Sequence, residues 1–179
     1  KKALGGCLLF IAGSTHDNEE EGIVEIYKSL VKDFPFLRLL IAPRHVERID
    51  QIRRSIRLQG LQAVNLSTLL ADSSIDGTQV LLVDTIGDLS ALYRLCDVAY
   101  VGGSVVPKGG HNPIEPALFG KPIFFGRHMD NFREIRDIFI REKAAVEVES
   151  FASLEYEVRK ILASPSQRKL LGDAARSLI

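Results

Sequence analysis

Residues 101–131 bring together glycines, histidines and a carboxylate. The types and spacing of these residues suit the binding of an anion. The segment reads VGGSVVPKGGHNPIEPALFGKPIFFGRHMDN and follows a short apolar run, residues 98–101, which is typical of a buried strand. Glycine allows the backbone to turn freely and to approach a ligand closely, and four stand here: Gly102, Gly103, Gly109 and Gly110. A helical pattern follows to Phe119, and the first N–H groups of a helix attract anions. Strand, glycine loop and helix start together predict an anion site.

Two interpretations of the helix start remain open. Asn112 as N-cap, Pro113 at the first position and Glu115 at the third resemble a capping box, which is a structural device. Pro116 disturbs that register, because its ring removes an N–H group and disfavours helical geometry at Glu115. The helix could instead start at Pro116 and leave residues 111–115 as a ligand-facing turn.

Composition limits the class of protein. The 179 residues suit one domain, and the 23 basic and 23 acidic residues cancel, which gives no electrostatic support for nucleic-acid binding. Cys7 and Cys96 adjoin apolar runs, so we expect reduced core thiols and a cytoplasmic setting.

The sequence contains no apolar run near the ~20 residues that a membrane span needs, and no signal peptide is visible. The chain starts at Lys1 without a methionine and stops at Ile179 within a helical pattern. We expect a piece of a longer protein, divided at a domain boundary.

Apolar runs alternate with amphipathic patterns along the whole chain. The runs predict strands at residues 7–13, 37–42, 63–66, 79–83, 98–101, 123–125 and 145–148. The amphipathic patterns predict helices at residues 19–33, 46–59, 89–96, 112–119, 131–141, 153–163 and from 165 onward, with a surface loop at residues 71–78. This alternation predicts an α/β fold with a Rossmann-like parallel sheet and helices on both faces.

Two charged patterns have ordinary explanations. The acidic residues 19–21 complement the dipole of the first helix, and we expect a solvated helix start. Four arginines lie mainly off the apolar stripe of the second helix: Arg48, Arg53, Arg54 and Arg57. They predict a solvated face, with contact to another domain or to anionic lipid as the alternative.

The carboxyl ends of parallel strands share one edge of the sheet, where ligands bind in such folds. Four polar segments follow predicted strands: residues 14–17, 43–45, 84–88 and 102–115. Arg44 suits a forked contact with phosphate, and Lys108 lies on a glycine-flanked loop that suits a ligand which arrives and departs. His45 and His111 are further candidates, although His45 starts a helix and His111 has local hydrogen-bonding options.

Several familiar sites are absent from the sequence. The loop lacks the Gly-Lys-Ser/Thr ending of a Walker A motif and the GxGxxG spacing of dinucleotide sites. We find no paired cysteines, HExxH or strand-end aspartate cluster for a metal, and helix capping accounts for Asp88. We therefore expect protein donors to neutralise a phosphate, with no metal and no cofactor.

Four motifs in order make a resemblance specific: AGSTHDNEE at residues 12–20, IAPRH at 41–45, DTIGDL at 84–89 and GGHNPIEPALFGKP at 109–122. Over residues 12–135 the chain resembles the C-terminal half of bacterial 3-deoxy-D-manno-octulosonic acid (Kdo) transferases. These enzymes of lipopolysaccharide assembly transfer Kdo from CMP-Kdo to a lipid A precursor. The resemblance implies a GT-B architecture, in which two Rossmann-like domains face a cleft and residues 1–179 form the nucleotide-sugar-binding domain.

The resemblance also implies site residues. Those implied to bind CMP are Pro43, Arg44, Ile86, Gly87, Asp88, Asn112, Pro113, Ile114 and Glu115, the last through the ribose. Further possible donor contacts are Ser14, Thr15, His16, Gly103, Ser104, Lys108 and His111. The family often has glutamate where this chain has Asp88, so the shorter side chain would reach the nucleotide through water or be structural.

The resemblance implies inverting displacement at the Kdo anomeric carbon, with a general base on the N-terminal domain. The present chain should therefore bind the donor but be inactive alone. The acceptor, lipid IVA, and the membrane association would belong to the N-terminal half, at the cytoplasmic face of the inner membrane.

Two other functions compete with this one. One is a different GT-B glycosyltransferase that uses a UDP-sugar. The other is a nucleotide-sensing or membrane-docking module without catalysis.

Overall fold

The computed structural model describes residues 7–71 and 79–179, which form one seven-stranded sheet covered by helices. The strands are β1 Leu8–Thr15, β2 Leu37–Pro43, β3 Gln62–Asn65, β4 Gln79–Leu82, β5 Val98–Val101, β6 Ile123–Gly126 and β7 Val146–Val148. The helices are α1 Glu20–Leu30, α2 Ile49–Leu58, α3 Leu66–Ala71, α4 Leu89–Tyr93, α5 Ile114–Leu118, α6 Arg133–Arg141, α7 Phe151–Ala163 and α8 Pro165–Ser177. Across those two ranges, no helix has the length and apolar character that crossing a bilayer requires.

The strand order is β3-β4-β2-β1-β5-β6-β7, and every neighbouring pair is parallel. The predicted Rossmann-like α/β fold is thus confirmed. The chain places β2, β3 and β4 on one side of β1 and then crosses to place β5 on the other side. The boundary between β1 and β5 is therefore the topological switch point, outside which open α/β sheets bind their ligands.

Successive strand residues are buried against opposite layers of helices, which explains the continuous apolar runs. Phe10 and Leu39 belong to a core formed with α1, α2 and α7. Ile11 and Leu40 pack on the other face against Tyr93 of α4. A third cluster joins β5 and β6 to α5, α6 and α8. Because both faces are covered, only the strand ends remain open to a ligand.

Some boundaries differ from the sequence prediction. Leu66 starts α3 instead of ending a strand, because Asp84 from beyond β4 accepts the Ser67 N–H at 3.1 Å. The fourth helix ends at Tyr93, three residues short of the predicted end at Cys96. Cys96 is buried as expected, whereas Cys7 is partly exposed. Most of the predicted surface loop, residues 72–78, lies outside the described residues.

Gly172 of α8 packs directly on the turn that follows α5. A Cβ atom at this position would lie 2.1 Å from the carbonyl oxygen of Gly120, which has a φ of +61°. Backbone therefore meets backbone here, and α8 supports the α5 end of the glycine-rich segment.

We expect Gly172→Ala to destabilise the protein. Helix propensity alone would give a gain of about 0.5–1 kcal/mol, whereas crowding against a backbone carbonyl costs about 1–3 kcal/mol. Denaturant unfolding measures the balance. A rise in the free energy of unfolding would contradict the close packing of α8 on the turn at Gly120.

Candidate functional site

The ends of β1 and β5 meet closely at the switch point. Strand β1 ends in a bulge, with a register shift between Gly13 and Thr15 and a φ of +54° at Ser14. The Gly102 N–H donates to the Gly13 carbonyl at 2.8 Å. A Cβ atom on Gly102 would lie 2.4 Å from the Ser14 carbonyl oxygen, so glycine is required for the two loops to touch.

The carboxylate of Glu19 is fully buried and joins these two loops. It accepts the Gly103 N–H at 2.7 Å, the His16 N–H at 2.9 Å and the Tyr100 hydroxyl at 2.6 Å. Burial raises the pKa of Glu19, while the same three donors act to lower it by stabilising the carboxylate. One side chain thus fixes the backbone on both sides of the switch point.

A second buried carboxylate lies beside the first. The Glu20 carboxylate accepts hydrogen bonds from both terminal nitrogens of Arg48, at 2.9 and 3.1 Å, and from the Thr15 hydroxyl at 2.9 Å. Arg48 also pairs with Asp17 at 2.6 Å. The expected solvated start for Glu19 and Glu20 and the expected solvated position of Arg48 were therefore wrong, because α1 begins beneath the strand ends.

Two histidines lie close together at the same strand ends that Glu19 and Glu20 support. The Nε2 atoms of His16 and His111 are 2.8 Å apart, and the rings are 8° from parallel with centroids 5.1 Å apart. Gly103 lies against both rings at a φ of +68°, and a Cβ atom there would come within 3.1 Å of His16. The His45 ring meets His16 edge-on at 5.9 Å.

Both paired histidines have lowered pKa values, which favours the neutral form of each ring. Burial and the neighbouring His16, Arg44 and His45 lower the pKa of His111 to about 4. The pKa of His16 is also lowered, by burial first and then by His45, Lys108 and Arg48. In the neutral pair one Nε2–H donates and the other Nε2 accepts.

Arg44 and Lys108 are exposed cations at this edge. The Arg44 N–H donates to the Thr15 carbonyl at 2.9 Å, which docks the end of β2 onto the end of β1. The Gly103 carbonyl accepts the N–H groups of Lys108 and Gly110, at 3.3 and 2.9 Å, and so shapes the loop that carries the lysine. Arg44 follows β2 and Lys108 lies in the loop after β5, so two segments at this edge each carry an exposed cation.

Helix α5 starts at Ile114, with Pro113 in the capping position, so neither predicted start was correct. The Asn112 side-chain oxygen accepts a hydrogen bond from the Ile114 N–H at 3.0 Å. The side-chain nitrogen of Asn112 donates to the Glu115 carboxylate at 3.4 Å. Pro116 is tolerated because its missing N–H falls in the first turn, where no helical partner exists. Glu115 is half-buried; burial raises its pKa, against the opposing hydrogen bond from Asn112.

The segment after β4 reaches into solvent. Ile86 is 87% exposed, and Gly87 has a φ of +93°. Asp88 makes no capping hydrogen bond to α4; it accepts the Thr85 hydroxyl instead, so the capping interpretation was wrong. Pro43 is the buried last residue of β2, adjacent to β4 in the sheet.

Two predicted donor contacts are directed into the protein. Thr15 and Ser104 are fully buried, and the Ser104 hydroxyl accepts the Gly126 N–H at 2.8 Å and donates to the Val101 carbonyl. Their hydroxyls support the edge from within, so their positions do not favour direct contact with a ligand. Ser14, His16, Lys108 and His111 are at least partly exposed, and their contact with a ligand stays a prediction.

The sequence is similar to curated glycosyltransferases. The chain is 37% identical over 172 residues to the 3-deoxy-D-manno-octulosonic acid transferase of Haemophilus influenzae, which covers 96% of this chain and 40% of that protein. It is 36% identical over 147 residues to a bifunctional glycosyltransferase/methyltransferase of Fusobacterium nucleatum, covering 82% of this chain and 22% of that protein. The chain thus spans less than half the length of these curated relatives. No protein-family model matches the sequence.

Among solved structures, the chain is similar to the C-terminal CMP-Kdo binding domain of WaaA from Acinetobacter baumannii. The TM-score is 0.88 at 30% identity, over 98% of this chain and 90% of that one. An O-GlcNAc transferase from Thermobaculum terrenum shares the fold alone, with a TM-score of 0.60 at 14% identity over 96% of this chain and 31% of that one.

We expect Glu19→Gln to lower the free energy of unfolding by about 1.5–3 kcal/mol, because a neutral amide cannot replace the charge-assisted acceptor of three donors. Glu21→Gln is the matched control: Glu21 is exposed in the same helical turn, and its change should stay within about 0.5 kcal/mol. Denaturant unfolding of both variants gives the comparison. Equal effects would mean that Glu19 contributes no more than an ordinary helix-start charge.

Proposed function

The chain belongs to the family of 3-deoxy-D-manno-octulosonic acid (Kdo) transferases, and we propose that it is the domain that binds the donor CMP-Kdo. The observation that carries this proposal is the His16–His111 pair at the switch point, with the exposed Arg44 and Lys108 on the loops beside it. A fold similar to a CMP-Kdo binding domain supports it. In the whole enzyme, residues 1–179 would form one wall of a cleft between two domains.

The exposed groups divide between the parts of the nucleotide. Arg44 and Lys108 carry the charge that a phosphate needs, and Arg44 follows Pro43 directly at the sheet edge. The solvent-facing Ile86, with Gly87 and Asp88, would line the nucleoside pocket beyond β4. Residues 112–115 would approach from the start of α5 and present the Glu115 carboxylate to the ribose hydroxyls.

The proposed contribution of this chain to the reaction is stabilisation of the leaving group. Negative charge grows on CMP as the bond to the Kdo anomeric carbon breaks, and positive groups fixed in advance stabilise that charge most in the transition state. Inversion also requires a base that activates the acceptor hydroxyl. We assign that base to the other domain, so the chain alone should bind donor but transfer no Kdo.

The acceptor and the membrane belong to the same proposal. A lipid A precursor such as lipid IVA would approach from the other wall of the cleft, at the cytoplasmic face of the inner membrane. A UDP-sugar transferase with this fold is the second candidate. A nucleotide-binding module without catalysis is the third.

We expect the purified chain to bind CMP more tightly than UMP and to retain that affinity in EDTA. Arg44 and Lys108 supply the positive charge in place of a magnesium ion. Isothermal titration with each nucleotide, with and without chelator, makes the measurement. Preference for UMP would favour the UDP-sugar alternative, and loss of CMP affinity in EDTA that magnesium restores would contradict metal independence.

Arg44→Ala should weaken CMP binding by roughly tenfold to a hundredfold, the equivalent of a charge-assisted contact of about 1.5–3 kcal/mol. Cytidine, which lacks the phosphate, should bind both proteins nearly alike. The deficit for CMP should shrink at high salt, because screening weakens the wild-type contact.

Two controls sharpen this prediction. Arg54→Ala removes an exposed arginine of α2 away from the strand ends and should leave CMP affinity unchanged. Glu115→Ala should weaken CMP and cytidine equally, because both contain the ribose. Unchanged CMP affinity in both Arg44→Ala and Glu115→Ala would remove this edge as the nucleotide site.

A further inference from the structure

The hydrogen bond between His16 and His111 occupies the Nε2 atoms of both rings at the proposed phosphate site. With the Nε2 atoms 2.8 Å apart, one Nε2–H donates to the lone pair of the other, whose ring keeps its proton on Nδ1. The pair in this form offers an anion no free Nε2–H. A phosphate oxygen that enters must therefore break this bond.

We propose that the donor phosphate separates this pair and that the accepting imidazole takes up one proton from solvent, so that both rings donate an Nε2–H to phosphate. The inference rests on the proposed donor site and adds a coupling between binding and protonation. One Nε2–H···Nε2 hydrogen bond is exchanged for two hydrogen bonds to oxygen. The added proton binds the free Nε2 lone pair and gives an imidazolium.

The surroundings explain why the unliganded pair lacks this proton. Burial contributes most, and cations and a further histidine face the pair from the segments after β2 and β5, while one carboxylate opposes them. The groups that act on the pKa values of the pair are His45, Arg44, Arg48 and Lys108, which lower them, and Glu20, which raises that of His16. The Glu19 carboxylate lies nearby and accepts a hydrogen bond from the backbone N–H of His16.

A bound phosphate reverses this balance. An opposite charge within about 4–6 Å raises the pKa of a basic group by about 1–3 units. A bound phosphate would therefore raise the pKa of His111 from its value of about 4. An imidazolium at this place would also stabilise charge that grows on the leaving phosphate.

The test uses the methyl ester of CMP as the probe. The phosphate of CMP itself titrates near pH 6 and would obscure the protein, whereas a diester has no such proton, like the donor. Titration calorimetry in two buffers of different ionisation enthalpy gives the protons taken up per ligand. We expect about 0.2–0.9 of a proton at pH 5.5 and close to none at pH 8.

Variants test whether the proton uptake belongs to the pair. His111→Gln and His16→Gln should each abolish the uptake, because glutamine donates a hydrogen bond but does not titrate in this range. His45→Gln, which removes the exposed third ring, should retain it. On the unaltered protein, histidine NMR at pH 5.5 should show an imidazolium appear when the ester is added.

The outcomes separate the inference from the function. Binding of the ester with less than about 0.1 of a proton taken up at pH 5.5 would overturn the inference and leave the donor site standing; a tautomer change without protonation would give this result. Uptake that His45→Gln abolishes would overturn the assignment to the pair. Failure of the ester and of CMP to bind at all would overturn both.

Discussion

The buried carboxylate of Glu19 is the interaction on which the ligand edge depends. A charge with no exposed surface is costly unless it is fully hydrogen-bonded, and Glu19 receives donors from His16, Tyr100 and Gly103. These donors come from the two strands that border the switch point. The carboxylate therefore fixes the distance between the β1 and β5 loops, and with it the positions of His16 and the glycine loop.

Charge at this edge is arranged in two layers. Below the surface, Glu20 and Arg48 neutralise each other and satisfy the Thr15 hydroxyl. Above it, Arg44 and Lys108 are exposed, and the histidine pair remains neutral because burial and nearby cations oppose its protonation. The paired charges build the edge, while the exposed positive charge is left available for an anion. This division explains how a chain of zero net charge presents a positive site.

The sheet, and the edge at which the polar loops meet, followed from the sequence because both depend on local patterns. Runs such as residues 98–101 are buried on both faces, and the loops after parallel strands must share one edge. The burial of Glu19 and Glu20 could not be predicted, since their partners are Gly103 and Arg48, 84 and 28 residues away. The available signal for their burial was the position of Glu19 and Glu20, an acidic pair close after the polar end of β1.

The same reasoning explains the smaller errors. The N-terminus of α3 is held by Asp84, which follows the neighbouring strand β4 and which no local pattern reveals. Asp88 has the residue type of a cap, yet it bonds to Thr85 instead. At α5, two prolines gave conflicting signals, and Asn112 resolved them through a short contact with Ile114.

The central claim is that the carboxyl edge at the switch point between β1 and β5 holds the donor nucleotide. Backbone amide NMR of the chain during a CMP titration tests this most directly, because it reports every loop at once. The account predicts that the largest shifts fall in residues 14–17, 44–45, 86–88 and 103–115, with little change in α6 or α8. Shifts confined to the opposite edge of the sheet, or to the helices far from these loops, would contradict it.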